Sequence, residues 1–205
     1  MIVTNAHKDF ILGQMQKLAI YDSKRPSGHV YEFHLHSERV AQSVKNLAMQ
    51  MHYNSDMCEA LYWATLPHDI GKMALPVAIW DTPHQPTDAE RQRRRSHTLL
   101  GVEIIRDEFG ADCTNDPFLK LLIDIMANHH EAMDGSGYGG KTAPDLSQEV
   151  RMACICDAFD GWSVKRAHFA DDRDLSPAGV INRMETEKKG QFDTLLFSQF
   201  KDITL

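Results

Sequence analysis

Eight residues of this chain could together hold metal ions and put them to use. Glu32 and His36 stand four apart, so one face of a helix presents both. His36 falls on an apolar stripe of Phe33, Val40, Val44, Leu47 and Met51, where an ionisable group needs a partner. His68–Asp69 follows in the segment Leu66-Pro-His-Asp-Ile-Gly-Lys72. Adjacent helical side chains point ~100° apart. These two therefore converge only at a helix end or a tight junction, and Pro67 and Gly71 favour such a distortion. His97 precedes Leu100, Ile104 and Ile105 in a helical pattern. His129–His130 closes the apolar run from Phe118 to Ala127, which brings two imidazoles to the end of a largely buried helix. Asp157 sits among Met152, Ala153, Ile155 and Phe159, where a carboxylate without a cation is costly.

Taken singly, each residue has a plain alternative. A histidine can be a hydrogen-bonded core residue, and Glu32 can be an exposed acid at a helix start, favoured by the macrodipole. Taken together, five imidazoles and three carboxylates exceed the needs of one structural zinc. They point to two or three divalent ions. Mixed imidazole and carboxylate ligation suits iron or manganese, with zinc, nickel or magnesium also compatible.

The elements that must position these residues read as helices. Helical spacing runs from Phe10 to Ala19 and, after a break at Pro26–Gly28, from about Tyr31 to His52. Ser55–Asp56 can cap a helix ending near His68–Asp69. Thr87 with Glu90 forms a capping box for a helix expected to continue to Phe109 and stop at Gly110. Another spans about Pro117 to His130, and a glycine-rich loop, Asp134 to Gly140, follows it. A helix from about Leu146 carries Asp157, Ser176–Pro177 starts one more, and Gln191–Leu205 reads as a short tail. Strand-like alternation is scarce, so the expected class is all-α. Arg91, Arg93, Arg94 and Arg95 cannot share one helical face, and read as a solvated surface.

A chain of 205 residues can bury about 70% of its surface, enough for one core and an enclosed site. Hydrophobic residues are 42% and charged residues 25%, an ordinary globular balance. The net charge of −7 disfavours a sequence-independent DNA binder. It does not exclude an anionic substrate, because bound cations reverse the local sign. No apolar run approaches a membrane span, and the first residues lack a secretory pattern. Four cysteines without a CxxC pair read as buried thiols in a reducing cytoplasm.

The ordered set His36, His68-Asp69 and Asp157 resembles the HD superfamily of metal-dependent phosphohydrolases. The segments His68-Asp-Ile-Gly-Lys72 and His129-His-Glu-Ala-Met-Asp-Gly-Ser-Gly-Tyr138 resemble its HD-GYP subfamily. So do His97 ahead of Leu99-Leu-Gly-Val-Glu-Ile-Ile105, and Asp157-Ala-Phe-Asp160 with Arg166. The resemblance covers about Tyr31 to Asp193. It implies an HD-type helical bundle around a central metal site, and hydrolysis of a cyclic dinucleotide, usually cyclic di-GMP, to a linear dinucleotide or mononucleotide.

Carried over by position, the implied metal ligands are Glu32, His36, His68, Asp69, His97, His129, His130 and Asp157. Asp69 bridges two ions and Glu32 completes a third. Lys72 and Arg166 match groups that contact substrate phosphate. The glycine-rich loop reads either as a rim whose Tyr138 stacks on or borders a base or as only a turn after a helix. Bound ions would neutralise phosphate oxygens and lower the pKa of a water, so Asp69 and Lys72 are the implied catalytic pair. Arg166 follows Asp157 by nine residues, half a turn out of phase, so the helix must end or bend near Gly161 for both to serve one site.

Two departures stand out. Phe169 replaces a basic residue, and Gly139 replaces the proline of the signature. Glycine leaves a dihedral free that proline fixes, so the loop after Tyr138 is expected to be more mobile, and Gly139→Pro to lower KM.

The expected organisation is a helical extension over 1–28 and a phosphohydrolase domain over 29–205. Regulation would come from a protein partner or a homodimer, in the cytoplasm. Competing readings are an HD phosphohydrolase acting on another nucleotide or phosphoester, a di-iron oxygenase, and a non-catalytic module that binds a cyclic dinucleotide or a partner.

Overall fold

A computed structural model describes residues 1–26, 31–82, 84–164 and 173–205. Among these residues the chain is all-α. In order the helices are α1 (Asn5–Asp22), α2 (Phe33–Gln50), α3 (Ser55–Thr65), α4 (Asp88–Arg95), α5 (His97–Phe109), α6 (Pro117–Asn128), α7 (Gln148–Trp162), α8 (Pro177–Glu187) and α9 (Thr194–Thr204). Among the described residues the β-type pairing is one isolated bridge, Asp134 with Thr142. No helix among them is long and apolar enough to cross a membrane.

The bundle is built around α2, which packs against α1, α3, α7 and α9. Val40, Val44 and Leu47 of its apolar stripe are fully buried, with Leu18, Leu61, Ile105, Phe118, Leu122, Ile125 and Ile155 in the same core. The caps follow the sequence. Thr87 and Glu90 make the expected capping box, and Asp116 accepts the amides of Phe118 and Leu119 ahead of α6. At α3 the cap is Asn54, whose side chain accepts the Met57 amide at 2.9 Å, one residue before the expected position.

Three elements differ from expectation. The helix starting at Ser55 ends at Thr65, and a turn leads into a 3₁₀ segment, Ile70–Ala74. His68 and Asp69 thus lie at the kind of junction that Pro67 and Gly71 favour, and only the helix end, at Thr65, comes earlier than expected. The helix starting at Asp88 does not run unbroken to Phe109. Ser96 Oγ donates to the Arg93 carbonyl (2.7 Å), His97 Nδ1 to the Arg94 carbonyl (2.7 Å) and Thr98 Oγ1 to the Arg95 carbonyl (3.3 Å). Three successive carbonyls thus take side-chain donors, and the chain restarts as α5. Finally, 194–204 is a helix, not a tail. Asp193 caps it, and it buries Leu196, Phe197 and Phe200 against α2 and α7.

One close approach matters for the site. The Ile70–Ala74 segment lies against α5, and a Cβ on Gly71 would meet the His97 carbonyl oxygen at 1.9 Å. Only glycine permits that contact.

Candidate metal centre

Seven of the eight expected ligands meet at one place. Two groups of donor atoms form, Asp69 with His97, His129 and His130, and Asp69 with His36 and His68. Asp69 belongs to both because its two oxygens face opposite ways. Oδ1 lies 3.1 Å from His97 Nε2 and 3.7 Å from His129 Nε2. Oδ2 lies 3.6 Å from both His36 Nε2 and His68 Nε2. Asp157 repeats the arrangement. Its Oδ1 is 2.9 Å from His36 Nε2 and 3.7 Å from His68 Nε2, and its Oδ2 is 3.3 Å from His130 Nδ1.

The far sides of four of the five rings are anchored. His68 Nδ1 is 3.0 Å from the Thr65 carbonyl, His97 Nδ1 2.7 Å from Arg94, and His129 Nδ1 2.9 Å from Met126. A carbonyl only accepts, so each Nδ1 carries the proton and each Nε2 turns a lone pair to the centre. His36 Nδ1 instead meets Asp160 Oδ2 at 2.6 Å, and Arg39 in turn grips Asp160 through Nε (2.6 Å) and a terminal nitrogen (2.9 Å). This is the carboxylate–histidine pairing that raises ligand basicity at metal sites.

Electrostatics agree. Burial lowers the pKa of His68 and His97 and, with the help of neighbouring His129, takes His130 well below the ordinary range. Neutral imidazoles are what a metal requires. Burial also pulls His36 down, but hydrogen bonds with Asp157 and Asp160 outweigh it and raise its pKa. Burial would raise Asp69, yet Lys72 and His68 hold it well below the carboxylate range. Asp157 is held down likewise, against burial, by His130 and His36.

The donor set fits divalent cations on a further ground. His68 Nε2 and Asp69 Oδ1 are buried without a hydrogen-bond partner. Buried polar atoms are rarely left so, and one orphan in each donor group fits a cation on either side of Asp69.

The remaining expected residues are placed as follows. Glu32 stands at the start of α2, outside both groups. Its side chain is 43% exposed and its carboxylate is 4.0 Å from His34 Nε2. Lys72 reaches the centre, with its ammonium paired to Asp69 Oδ2 and boxed by the rings of Phe33 (4.3 Å), Trp80 (5.5 Å) and Tyr31 (5.9 Å). Tyr138 tilts over the His130 ring, centroids 4.6 Å apart. Helix α7 ends at Trp162, as a bend near Gly161 requires, but Arg166 and Phe169 lie outside the described residues.

The loop after Tyr138 corrects one expectation. Glu131, buried beside the histidine pair, accepts the amides of Gly139 and Lys141, and the Tyr138 amide donates to the His130 carbonyl at 3.3 Å. The loop is tethered through the very amide that proline lacks. A Cβ at Gly139 would also meet Glu131 Oε1 at 2.7 Å. Gly139→Pro is therefore expected to raise KM, the reverse of the expectation from backbone freedom. It should also lower the melting temperature by about 5 °C, from the loss of a charge-assisted hydrogen bond of ~1.5–3 kcal/mol. Differential scanning calorimetry beside initial rates checks both, and an unaltered melting temperature would remove Glu131 as the tether.

Asp160, Arg39 and Glu131 escaped the reading of the sequence as functional residues. Asp160 had a visible signal, since it follows Asp157 by three residues on the same helical face.

The chain is similar to known proteins in sequence and in fold. The family model described as HD domain matches residues 24–195. The chain is 32% identical over 168 residues to a cyclic di-GMP phosphodiesterase of Pseudomonas aeruginosa, covering 82% of this chain and 38% of that protein. It is 29% identical over 164 residues to a 3'3'-cGAMP-specific phosphodiesterase of Vibrio cholerae, covering 79% of this chain and 36% of that one. The chain thus spans less than half the length of these relatives. Among solved structures, the fold is similar to Bd1817, a HDG"Y"P protein from Bdellovibrio bacteriovorus. That match has a TM-score of 0.67 at 16% identity, over 95% of this chain and 59% of that one.

Proposed function

Because the chain belongs to the HD domain family, we propose that it hydrolyses a cyclic dinucleotide, cyclic di-GMP first among them, with two divalent metal ions held at the histidine–aspartate centre. One observation carries this reading: the two oxygens of Asp69 face two separate sets of imidazoles, the arrangement a bridging carboxylate needs. Cyclic di-GMP and 3'3'-cGAMP are the substrates in the names of the relatives above. The imidazole-rich, thiolate-free donor set favours iron or manganese.

On this reading His36 and His68 would hold one ion with Asp69, and His97, His129 and His130 would hold the other with the same carboxylate. Asp157 reaches both sides through its two oxygens. Such ions neutralise a phosphodiester and make water nucleophilic near neutral pH. The protein's own part is to keep His68, His97 and His130 unprotonated and to fix ring orientation through Thr65, Arg94, Met126 and Asp160. Lys72 balances the charge of Asp69 and is placed to meet a phosphoryl oxygen when the carboxylate turns to metal. Arg166 is retained as a second phosphate contact. The four cysteines are buried and free, which suits a reducing cytoplasm.

The test is metal analysis of anaerobically purified protein, with product identification on cyclic di-GMP, 3'3'-cGAMP and cyclic di-AMP. Expected are two metals per chain, loss of turnover on chelation and recovery with Fe(II) or Mn(II). Because Glu32 stands apart, Glu32→Ala should still hold two. A metal-free protein of full activity, or a loaded one inert on all three substrates, would refute the proposal.

A further inference from the structure

Among the described residues, the donor side chains of the metal centre are most exposed at His130. The side chains of His36, His68, Asp69, His97 and His129 are at most 2% exposed and that of Asp157 is 11%, whereas His130 reaches 25%. The opening is roofed by Tyr138, itself 40% exposed, whose ring lies against His130. Over the same ring lies Arg95, its guanidinium carbon 4.9 Å from the centroid. Arg95 thus stands at the mouth through which a substrate must pass.

The cations around the centre are not equally available. Lys72 is paired with Asp69 and Arg39 with Asp160. Arg95 is exposed, and among the described residues no carboxylate pairs with it. Its position is not arbitrary. Its own carbonyl takes the Thr98 hydroxyl and the preceding one takes His97 Nδ1, so the helix break that orients a ligand also sets the start of this side chain. A guanidinium can lie face-on to a ring and still offer its N–H edge to a phosphate. The chain carries a net charge of −7, so an anionic diester gains from a cation placed where it enters.

We propose that Arg95, stacked on Tyr138 at the mouth of the metal centre, is a specificity-determining contact that receives a phosphate of an anionic dinucleotide. The inference rests on the function proposed above and names the residue that admits its substrate.

The experiment uses the full chain, loaded with Mn(II), as wild type, Arg95→Met and Arg95→Lys. Metal content, KM, kcat and the dissociation constant for cyclic di-GMP and 3'3'-cGAMP, by equilibrium dialysis, are measured at two salt concentrations. Arg95→Met keeps length and ring contact but loses charge. Its KM and dissociation constant should rise about tenfold or more, with kcat within about twofold, unchanged metal content and a weaker salt dependence. Arg95→Lys should recover part of the loss, as a point charge without the fork. A dissociation constant within twofold of wild type in Arg95→Met would overturn the proposal. So would loss of metal, which would make Arg95 a support for His97. If wild type binds a dinucleotide but does not cleave it, hydrolysis is refuted while the binding ratio still decides the role of Arg95. If wild type neither binds nor cleaves, both fall.

Discussion

Asp69→Asn is expected to lower turnover by at least about 10³-fold and to empty both metal positions. The reason is that its two oxygens serve two different sets of imidazoles, Oδ1 towards His97 and His129, Oδ2 towards His36 and His68. An amide keeps the shape but offers oxygen on one side only. Either orientation turns an N–H₂ group towards two nitrogens that need a cation. The substitution also removes the negative charge that pairs with buried Lys72, leaving an ammonium among Phe33, Trp80 and Tyr31 with ring faces alone. Metal ions supply several kcal/mol to such hydrolyses, and ~4 kcal/mol corresponds to the stated factor. Elemental analysis and initial rates on the same preparation decide it, with circular dichroism to show the helices intact. A variant that keeps two metals and more than a tenth of the wild-type rate would contradict the bridging role.

Asp160→Ala should weaken metal binding about 10–100-fold, the usual effect of removing the partner of a ligating histidine. Asp160 touches no donor atom of the centre directly. It takes His36 Nδ1 at 2.6 Å and is itself held by two nitrogens of Arg39. Without it His36 can turn, and the charge that makes its Nε2 a better donor is gone. Asp160→Asn should fall between the two, because its amide oxygen still accepts one of these bonds. Titration against a chelator of known affinity measures the effect. Equal affinities in wild type and Asp160→Ala would leave Asp160 as a structural partner of Arg39 only.

Helix identity and the ligand list were legible because both depend on local spacing and residue type. Val40, Val44 and Leu47 repeat at helical intervals and are buried accordingly. His129–His130 at the end of an apolar run arrived where the run predicts. What escaped was set by partners distant in sequence. Asp160 matters because a histidine 124 residues earlier meets it. Gly139 looked like freedom until Glu131 was found on its amide. At the break at Ser96, hydroxyl and imidazole donors reach three successive carbonyls, two of which also take the Ser96 amide, local bonding that helix propensity does not register. The helix at 194–204 buries only three residues fully, too sparse a pattern to stand out from a tail.

Gly71 carries no functional group and makes no contact with a donor atom, yet it gauges the whole centre. One set of imidazoles hangs from α5 and α6, and Asp69 precedes the segment that lies against α5. The thickness of that contact is the thickness of a glycine. A single methyl group would act as a wedge, and the His97 carbonyl would have to retreat about 1.5 Å to reach an ordinary 3.4 Å separation. Coordination bonds tolerate only ~0.2 Å, so prising the two layers apart would carry His97, His129 and His130 out of reach of an ion shared with Asp69. Gly71 thus bears on the centre without any chemical group of its own, because what it supplies is clearance.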